Sequence, residues 1–313
     1  MSRGRDAANP TEFPRAGWMD IGSRIVKSFG SDRISLISAG VAFFGLLALF
    51  PAFTALLAVG GLVLDTSVIV EQLDASEGVV PPDVVEILRN QAQSVTLAGG
   101  LELTLLLSVL LAIWSASRGV ATLCDGLNVV YKEEEKRSFF LRSAVSVGLT
   151  LIIMVGVLAA VLAIVALPVL LSFAALTPIA EVATQLLTWV LLAALIIASI
   201  SLIYRLGPAR SNARWSWISP GAIVAWLLWL IASIGFTIYV QNFASYNESF
   251  GAIGGVIVLM MWLWISAMAI LIGGKVNAEM EHQTREDTTT GPEKPMGSRG
   301  AVVADELGPA RDA

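Results

Sequence analysis

Residues 251–274 read GAIGGVIVLMMWLWISAMAILIGG, a run without a single charged side chain, and Lys275 follows at once. At about 1.5 Å of rise per residue, some 20 apolar residues carry a helix across the roughly 30 Å hydrocarbon core of a bilayer. The run is therefore read as a membrane span, because in lipid a helix satisfies its own backbone hydrogen bonds. Five upstream stretches read the same way: 34–64, 101–123, 142–170, 179–204 and 218–241. The expected fold class is all-α, a polytopic bundle of six transmembrane helices filling residues 34–282. Composition agrees. The chain is 56% hydrophobic and 14% charged, whereas soluble domains carry roughly 25% charge, and its mean hydropathy is +0.75. The first span is too long for one straight perpendicular crossing, and Pro51 is its candidate kink. Pro168 and Pro178 separate the third span from the fourth.

Orientation follows from the cations. Of the 20 Lys and Arg residues, all but Arg89 precede the first span, follow the last, or sit in and beside the second and fourth loops. The positive-inside rule then puts both termini in the cytoplasm. The net charge of −5 describes no surface, since much of the acid lies in one loop and the tail. Residues 1–33 are charged and interrupted, and do not read as a cleavable signal.

The extramembrane parts carry their own expectations. Residues 1–17 read as a disordered cytoplasmic N-terminus and 18–33 as an amphipathic interfacial helix. In that helix Trp18, Ile21, Ile25 and Phe29 share a face, with Arg24 and Lys27 turned toward headgroups. An ordinary helix packed against the bundle is the other reading. The extracytoplasmic loop 65–100 holds Pro81-Pro82 ahead of Val84, Ile87, Leu88 and Val95, which predicts a small helical cap. Its acids read as a solvated face, with a binding role as the alternative. Residues 283–313, rich in Thr, Gly, Pro and charge, read as a disordered cytoplasmic tail.

Chemistry is sparse. No Asp, Glu, Lys, Arg or His falls in the central part of any span; Glu102 and Glu181 sit at outer ends, and Arg118 near an inner one. That disfavours a transporter built on a midplane carboxylate. A single Cys124 and a single His282 cannot supply a zinc cluster or a buried nucleophile–base pair. No Gly-rich phosphate loop with lysine is present, so the expectation is no enzyme, no metal and no cofactor. The richest polar stretch runs from Trp114 to Tyr131. Helical spacing places Ser115, Arg118, Asp125 and Asn128 roughly on one side, with Tyr131 beyond them, as a candidate cytoplasmic mouth. Arg118 there binds a headgroup phosphate, or it serves as a positive-inside anchor while Asp125 and Asn128 close a local network. Gly251, Gly254 and Gly255, and Gly221 with Ala225, suit small-residue helix packing and a homo-oligomer, or a flexible break beside a substrate path. Trp215 and Trp217 suit the interface belt; Trp226, Trp229, Trp262 and Trp264 lie deeper, between helices or toward lipid.

Three stretches together resemble the YihY/BrkB family of bacterial inner-membrane proteins. One is Ala39-Gly40-Val41-Ala42-Phe43-Phe44 leading to Ala48-Leu49-Phe50-Pro51. Another is Trp114-Ser115-Ala116-Ser117-Arg118-Gly119-Val120, then Leu127-Asn128-Val129-Val130-Tyr131 and Arg137. The last is Trp217-Ile218-Ser219-Pro220-Gly221-Ala222, Trp229, Tyr246, Phe250-Gly251, Trp262 and Gly273-Gly274-Lys275-Val276-Asn277-Ala278-Glu279. The chain departs from the family pattern at Phe43, Phe44 and Phe250, where tyrosine is usual, at Ala48, often serine, and at Lys275, usually an acid. The resemblance implies six helices in a bacterial inner membrane and no settled reaction; some members carry a ribonuclease label, others a link to virulence and serum resistance. The leading functional expectation is a non-enzymatic protein that moves or accommodates a lipid or hydrophobic solute. A membrane scaffold or assembly factor is the alternative, and a ribonuclease is disfavoured. Expected partners are membrane lipids, a second copy and envelope proteins, with no nucleic acid.

Overall fold

The computed structural model describes residues 3–63, 101–172, 178–242 and 252–311. The expected cap at 65–100 and Gly251 lie outside the described residues. A short 3-10 turn, Pro10–Glu12, precedes α1 (Arg15–Ser28). Six long helices follow: α2 (Ile34–Val63), α3 (Leu101–Val130), α4 (Phe139–Ser172), α5 (Pro178–Leu206), α6 (Trp215–Asn242) and α7 (Ala252–Glu281). A single turn, α8 (Val302–Asp305), closes the tail. All six long helices have the length and hydropathy to cross a bilayer.

Hydropathy located the crossings but not the helix ends. Both α3 and α7 run seven residues past their expected inner limits, Leu123 and Gly274. The extensions carry Asp125, Asn128, Lys275, Asn277 and Glu279 among apolar residues and are mostly buried in protein, where an intrahelical hydrogen bond forms as readily as in lipid. Pro178 opens α5 at its first position, where its missing N–H is not needed. The helix α2 continues through Pro51. Nearby, the Thr54 hydroxyl donates to the Phe50 carbonyl.

The long helices form a ring, each packed on its neighbours in chain order, with α7 closing onto α2. A further contact between α3 and α7 divides the ring. On one side α2, α3 and α7 make a tight triad, and on the other α3 to α7 enclose a wider space. Small residues permit the close crossings. A side chain at Gly126 would strike Ile37 and Leu271, and one at Gly221 would strike Asn277 and the Gly273 backbone. The buried apolar core lies toward the ends of the helices that carry the termini. Leu127, Ile218, Ala222, Tyr204 and Leu271 pack there, and Val303 of α8 joins them from below.

At this charged end three expectations are corrected. The first concerns the tail. Far from being disordered, residues 283–311 fold against the bundle, with Gln283, Thr284, Thr288 and Arg299 buried. Hydrogen bonds rather than apolar area order them, which is why a composition argument missed it. Thr289 bridges to Ala213, and Ser211 N donates to Gly300 O at 2.9 Å. The Arg299 guanidinium donates to the carbonyls of Lys294, Glu286, Ala304 and Arg285. Burial opposes ionisation of Asp287, but hydrogen bonds from Thr289 and Lys294 outweigh it and hold its carboxyl below the usual range.

The second correction is the N-terminus: residues 3–14 are also ordered. Phe13 packs with Ile21, Met280 and Trp217, so Trp217 is 1% exposed rather than part of an interface belt. The third is the face of α1. Its buried side is Gly17, Asp20, Ile21 and Arg24, while Trp18 and Val26 are exposed. Arg24 points into protein because its partner Glu279 is there, 255 residues away in sequence.

Candidate functional site

Among the described residues, a chamber, a groove and an ionic layer combine polar groups with accessible space, and a further cavity of about 300 Å³ lies among the loops at Arg137, Ala209 and Gly300. The larger cavity, about 320 Å³, is the chamber inside the wider half of the ring, and it reaches from the middle of α4 and α6 down to the buried core at Leu123, Ile200 and Ile203. Leu123, Ile153, Gly156, Ile196, Trp226 and Ile270 are among its walls, and no charged side chain lines it. Its polar groups are the Ser199 hydroxyl, which donates to the Leu195 carbonyl, and the Ser266 hydroxyl. The Trp229 indole N–H donates to Ser266 Oγ at 3.0 Å, and that of Trp262 to Ser233 Oγ at 3.2 Å. These pairs satisfy indole donors that lipid would leave unpaired. The deep tryptophans thus fall between helices.

The smaller cavity is a groove of about 260 Å³ between α3 and α4, closer to the charged end. Trp114, Ser117, Arg118, Phe139, Arg142 and Ser143 line it. Arg142 Nη2 donates to both carboxylate oxygens of Asp125, at 2.7 and 2.5 Å. Among the described residues the Arg118 guanidinium has no ion pair or hydrogen bond; its neighbour is the Phe44 ring, 5.9 Å away.

Below both lies the ionic layer. Arg24 Nε donates to Glu279 Oε2 at 2.6 Å, and its other nitrogens bond Gln283, the Glu279 carbonyl and the Pro309 carbonyl. Lys275 sits between Asp32 and Glu279, at 2.8 and 3.1 Å. His282 Nδ1 is 3.5 Å from Glu279 Oε2, so this histidine is buried and not frayed. Arg210 pairs bidentately with Glu281, which also accepts from Thr288, and lies 4.8 Å over the Tyr131 ring. Burial would lower the Arg210 pKa, but Glu281 overrides it and raises it. Excellent pairing is what makes such burial of charge tolerable.

The predicted mouth residues do not share one surface. Ser115, Asn128 and Tyr131 are buried, while Arg118 is exposed. At 100° per residue the stretch from Ser115 to Tyr131 turns through about 160°, so the stripe winds round α3. Arg118 and Asp125 face the groove or its rim. Asn128 turns instead to the loops, accepting from Ala209 N and donating to Glu135. Glu135 chelates Arg137, which in turn binds the carbonyls of Leu206 and Gly207. The Arg137 hydrogen bonds drop the Glu135 carboxyl from 4.5 to about 2.

Of the packing glycines, Gly221 is in tight contact, Gly254 is buried, and Gly255 faces open space. Sequence reasoning missed the Asn277 clamp. The Asn277 side chain accepts from Gly221 N at 2.7 Å and donates to the Ile218 carbonyl at 2.9 Å, beside Pro220 in α6. Its signal was a polar residue amid Val276, Ala278 and Met280, just past a long apolar run. Arg142, Arg24 and Glu279 gave no local signal. Among the described residues no three His, Cys, Asp or Glu side chains gather as metal ligands would.

Comparison with known proteins places these features in a family. The family model described as virulence factor BrkB matches residues 25–297. The ribonuclease-like protein YfkH of Bacillus subtilis is 30% identical over 250 residues, which covers 77% of this chain and 88% of that protein. A UPF0761 membrane protein of Tolumonas auensis is 33% identical over 84 residues, 27% of this chain and 28% of its own. One of Pseudoalteromonas translucida is 32% identical over 69 residues, 22% and 23% of the two chains. These shorter matches span about a quarter of each relative. No solved structure matches. With the family match running through nearly all of the six-helix bundle, the chain belongs to the virulence factor BrkB family of multi-pass membrane proteins.

Proposed function

We propose that this protein sits in the bacterial inner membrane with both ends in the cytoplasm and accommodates, or moves, a lipid chain or hydrophobic solute without catalysing a reaction. The observation that carries the reading is the uncharged chamber of about 320 Å³ inside the wider half of the ring. Ligand pockets run from about 300 to 1,000 Å³, so this one suits a small solute or part of an acyl chain, not a whole lipid. A driven ion pathway would need charge at mid-depth, and the chamber has none. The ribonuclease-like name belongs to YfkH. The acids of the ionic layer here are held by Arg24, Lys275 and Arg210, an arrangement that suits structure better than hydrolysis.

The test is reconstitution in liposomes, with movement of labelled lipids and hydrophobic solutes followed across the bilayer. The wild type should move or retain at least one class, and Gly156→Leu should abolish it. A Cβ at Gly156 meets Ser199 Oγ at 3.6 Å, an ordinary contact, and the residue lines the chamber, so a larger side chain there takes up chamber space. No movement or retention of any class, together with stoichiometric envelope proteins in crosslinking, would replace this reading with a scaffold. Tags at the two termini should both be shielded in intact cells.

A further inference from the structure

The groove between α3 and α4 is separate from the chamber. Leu123 reaches the chamber from the side of α3 roughly opposite Trp114, Arg118 and Ala121. The charges of the groove do not cancel. Asp125 neutralises Arg142, which leaves Arg118 as a whole positive charge without an acid among the described residues. Seven residues separate Arg118 from Asp125, so it lies about 10 Å deeper along the helix. A cation at that depth is held in part by what it binds.

The donors left over define what fits. A guanidinium presents a planar fork matched to two oxygens of one anion. The hydroxyls of Ser117 and Ser146 already donate to backbone carbonyls. The Ser143 hydroxyl makes no such bond among the described residues and faces the same groove. Arg142 binds Asp125 through Nη2 alone, so Nε and Nη1 remain. Trp114 and Phe139, 56% and 73% exposed, flank the opening with apolar surface. Bundled cationic and hydroxyl donors inside an aromatic rim suit a tetrahedral anion with an apolar attachment.

We infer that this groove binds a phosphate ester through Arg118 and Ser143, with Arg142 as a secondary donor. The ester belongs to a lipid headgroup or to a soluble phosphate, and the experiment separates the two. The full chain is purified into mixed phosphatidylglycerol and phosphatidylcholine, and retained lipid is counted by native mass spectrometry. The wild type should prefer the anionic lipid about five-fold, the scale of one interfacial arginine. Arg118→Ala should remove the preference, Arg118→Lys should keep part of it, and Ser143→Leu should remove it by occluding the groove. Arg205→Ala, which alters an arginine stacked 4.5 Å over Trp215 on α6, should change nothing. Gly156→Leu should keep the anionic preference even where it lowers the total lipid retained, which keeps failure of the chamber reading distinct from failure of this one.

In parallel, inorganic phosphate and glycerol 3-phosphate are titrated calorimetrically into lipid-depleted protein. Millimolar binding that vanishes in Arg118→Ala, without lipid preference, assigns the site to a soluble phosphate. Size-exclusion profiles check that the variants fold, and Ser143→Leu carries the test if Arg118→Ala does not. Equal lipid retention in all variants, with no binding of either soluble phosphate, overturns the inference and leaves Arg118 an anchor.

Discussion

The two ends of the same six helices are built on different principles. At the charged end Leu127, Ile218, Ala222 and Leu271 are completely buried, and charged side chains are buried with them in pairs. Toward mid-depth and beyond, Leu186, Leu187, Trp189, Val190 and Leu191 are exposed around more than half the circumference of α5. Water makes the first arrangement necessary, because any apolar area left uncovered there costs free energy. Lipid makes the second tolerable, because hydrocarbon solvates leucine as well as another leucine does. A stiff base with a looser, lipid-solvated body is the outcome. The chamber opens into the body above a floor that the base supplies through Leu123, Ile200 and Ile203, and the ionic layer lies in the base.

If the base carries the stability, the largest effect should come from unpairing its charges. Arg24→Ala takes from Glu279 one of its two cations, leaving Lys275, and removes the bonds to Gln283 and two carbonyls, so the loss should approach the ~3–5 kcal/mol of a fully broken buried pair. Thermal unfolding in detergent should show it as a large loss of Tm, or as failure to accumulate. A variant as stable as the wild type would break the comparison. Next in size is Gly221→Leu. The new side chain meets Asn277 and Gly273, and overpacking of this kind costs about 1–3 kcal/mol. The same measurement reads it.

A smaller effect is tied to pH. Arg137 holds Glu135 at about 2, below the 4.5 expected when unfolded. A depressed acid pKa stabilises the fold above the unfolded value and loses that contribution as pH falls through the folded one. The pair at the bundle's edge contributes about 1 kcal/mol once solvent screening is allowed for. Wild type should therefore exceed Glu135→Gln in Tm at pH 7, with the gap closing between pH 4.5 and pH 2. A constant gap would mean that Asn128 and Arg137 stitch the loops without needing the charge.

The sequence was legible where the solvent decides and opaque where partners decide. Residues such as 251–274 announce a span because lipid imposes one requirement, apolarity for about 20 residues. The depth of Arg118 was less legible: α3 runs on to Val130, so this arginine stands twelve residues short of the helix end. Arg24 was misread because its place depends on Glu279, far along the chain, and a hydrophobic face counted on α1 alone cannot show it. The tail was misread because Arg299 and Asp287 order it through backbone hydrogen bonds, which composition does not register. Asn128 is the intermediate case: a network was foreseen, but its partners are Glu135 and Ala209 and not Asp125.

The smallest effect should come from the body. Gly156→Leu places a leucine in the chamber, with only Ser199 Oγ near its Cβ. Filling space that a native side chain leaves open adds contacts and removes the entropic disadvantage of a mid-helix glycine, worth about 0.5–1 kcal/mol. The Tm should stay level or rise slightly while any lipid or solute handling is lost. Opposite signs on stability and function would set the body apart from the base, where Gly221→Leu lowers both together. A loss of stability comparable to Gly221→Leu would instead mean that α4 and α5 are held as tightly as the base, and that the chamber is a packing gap of fixed shape with no room for an occupant.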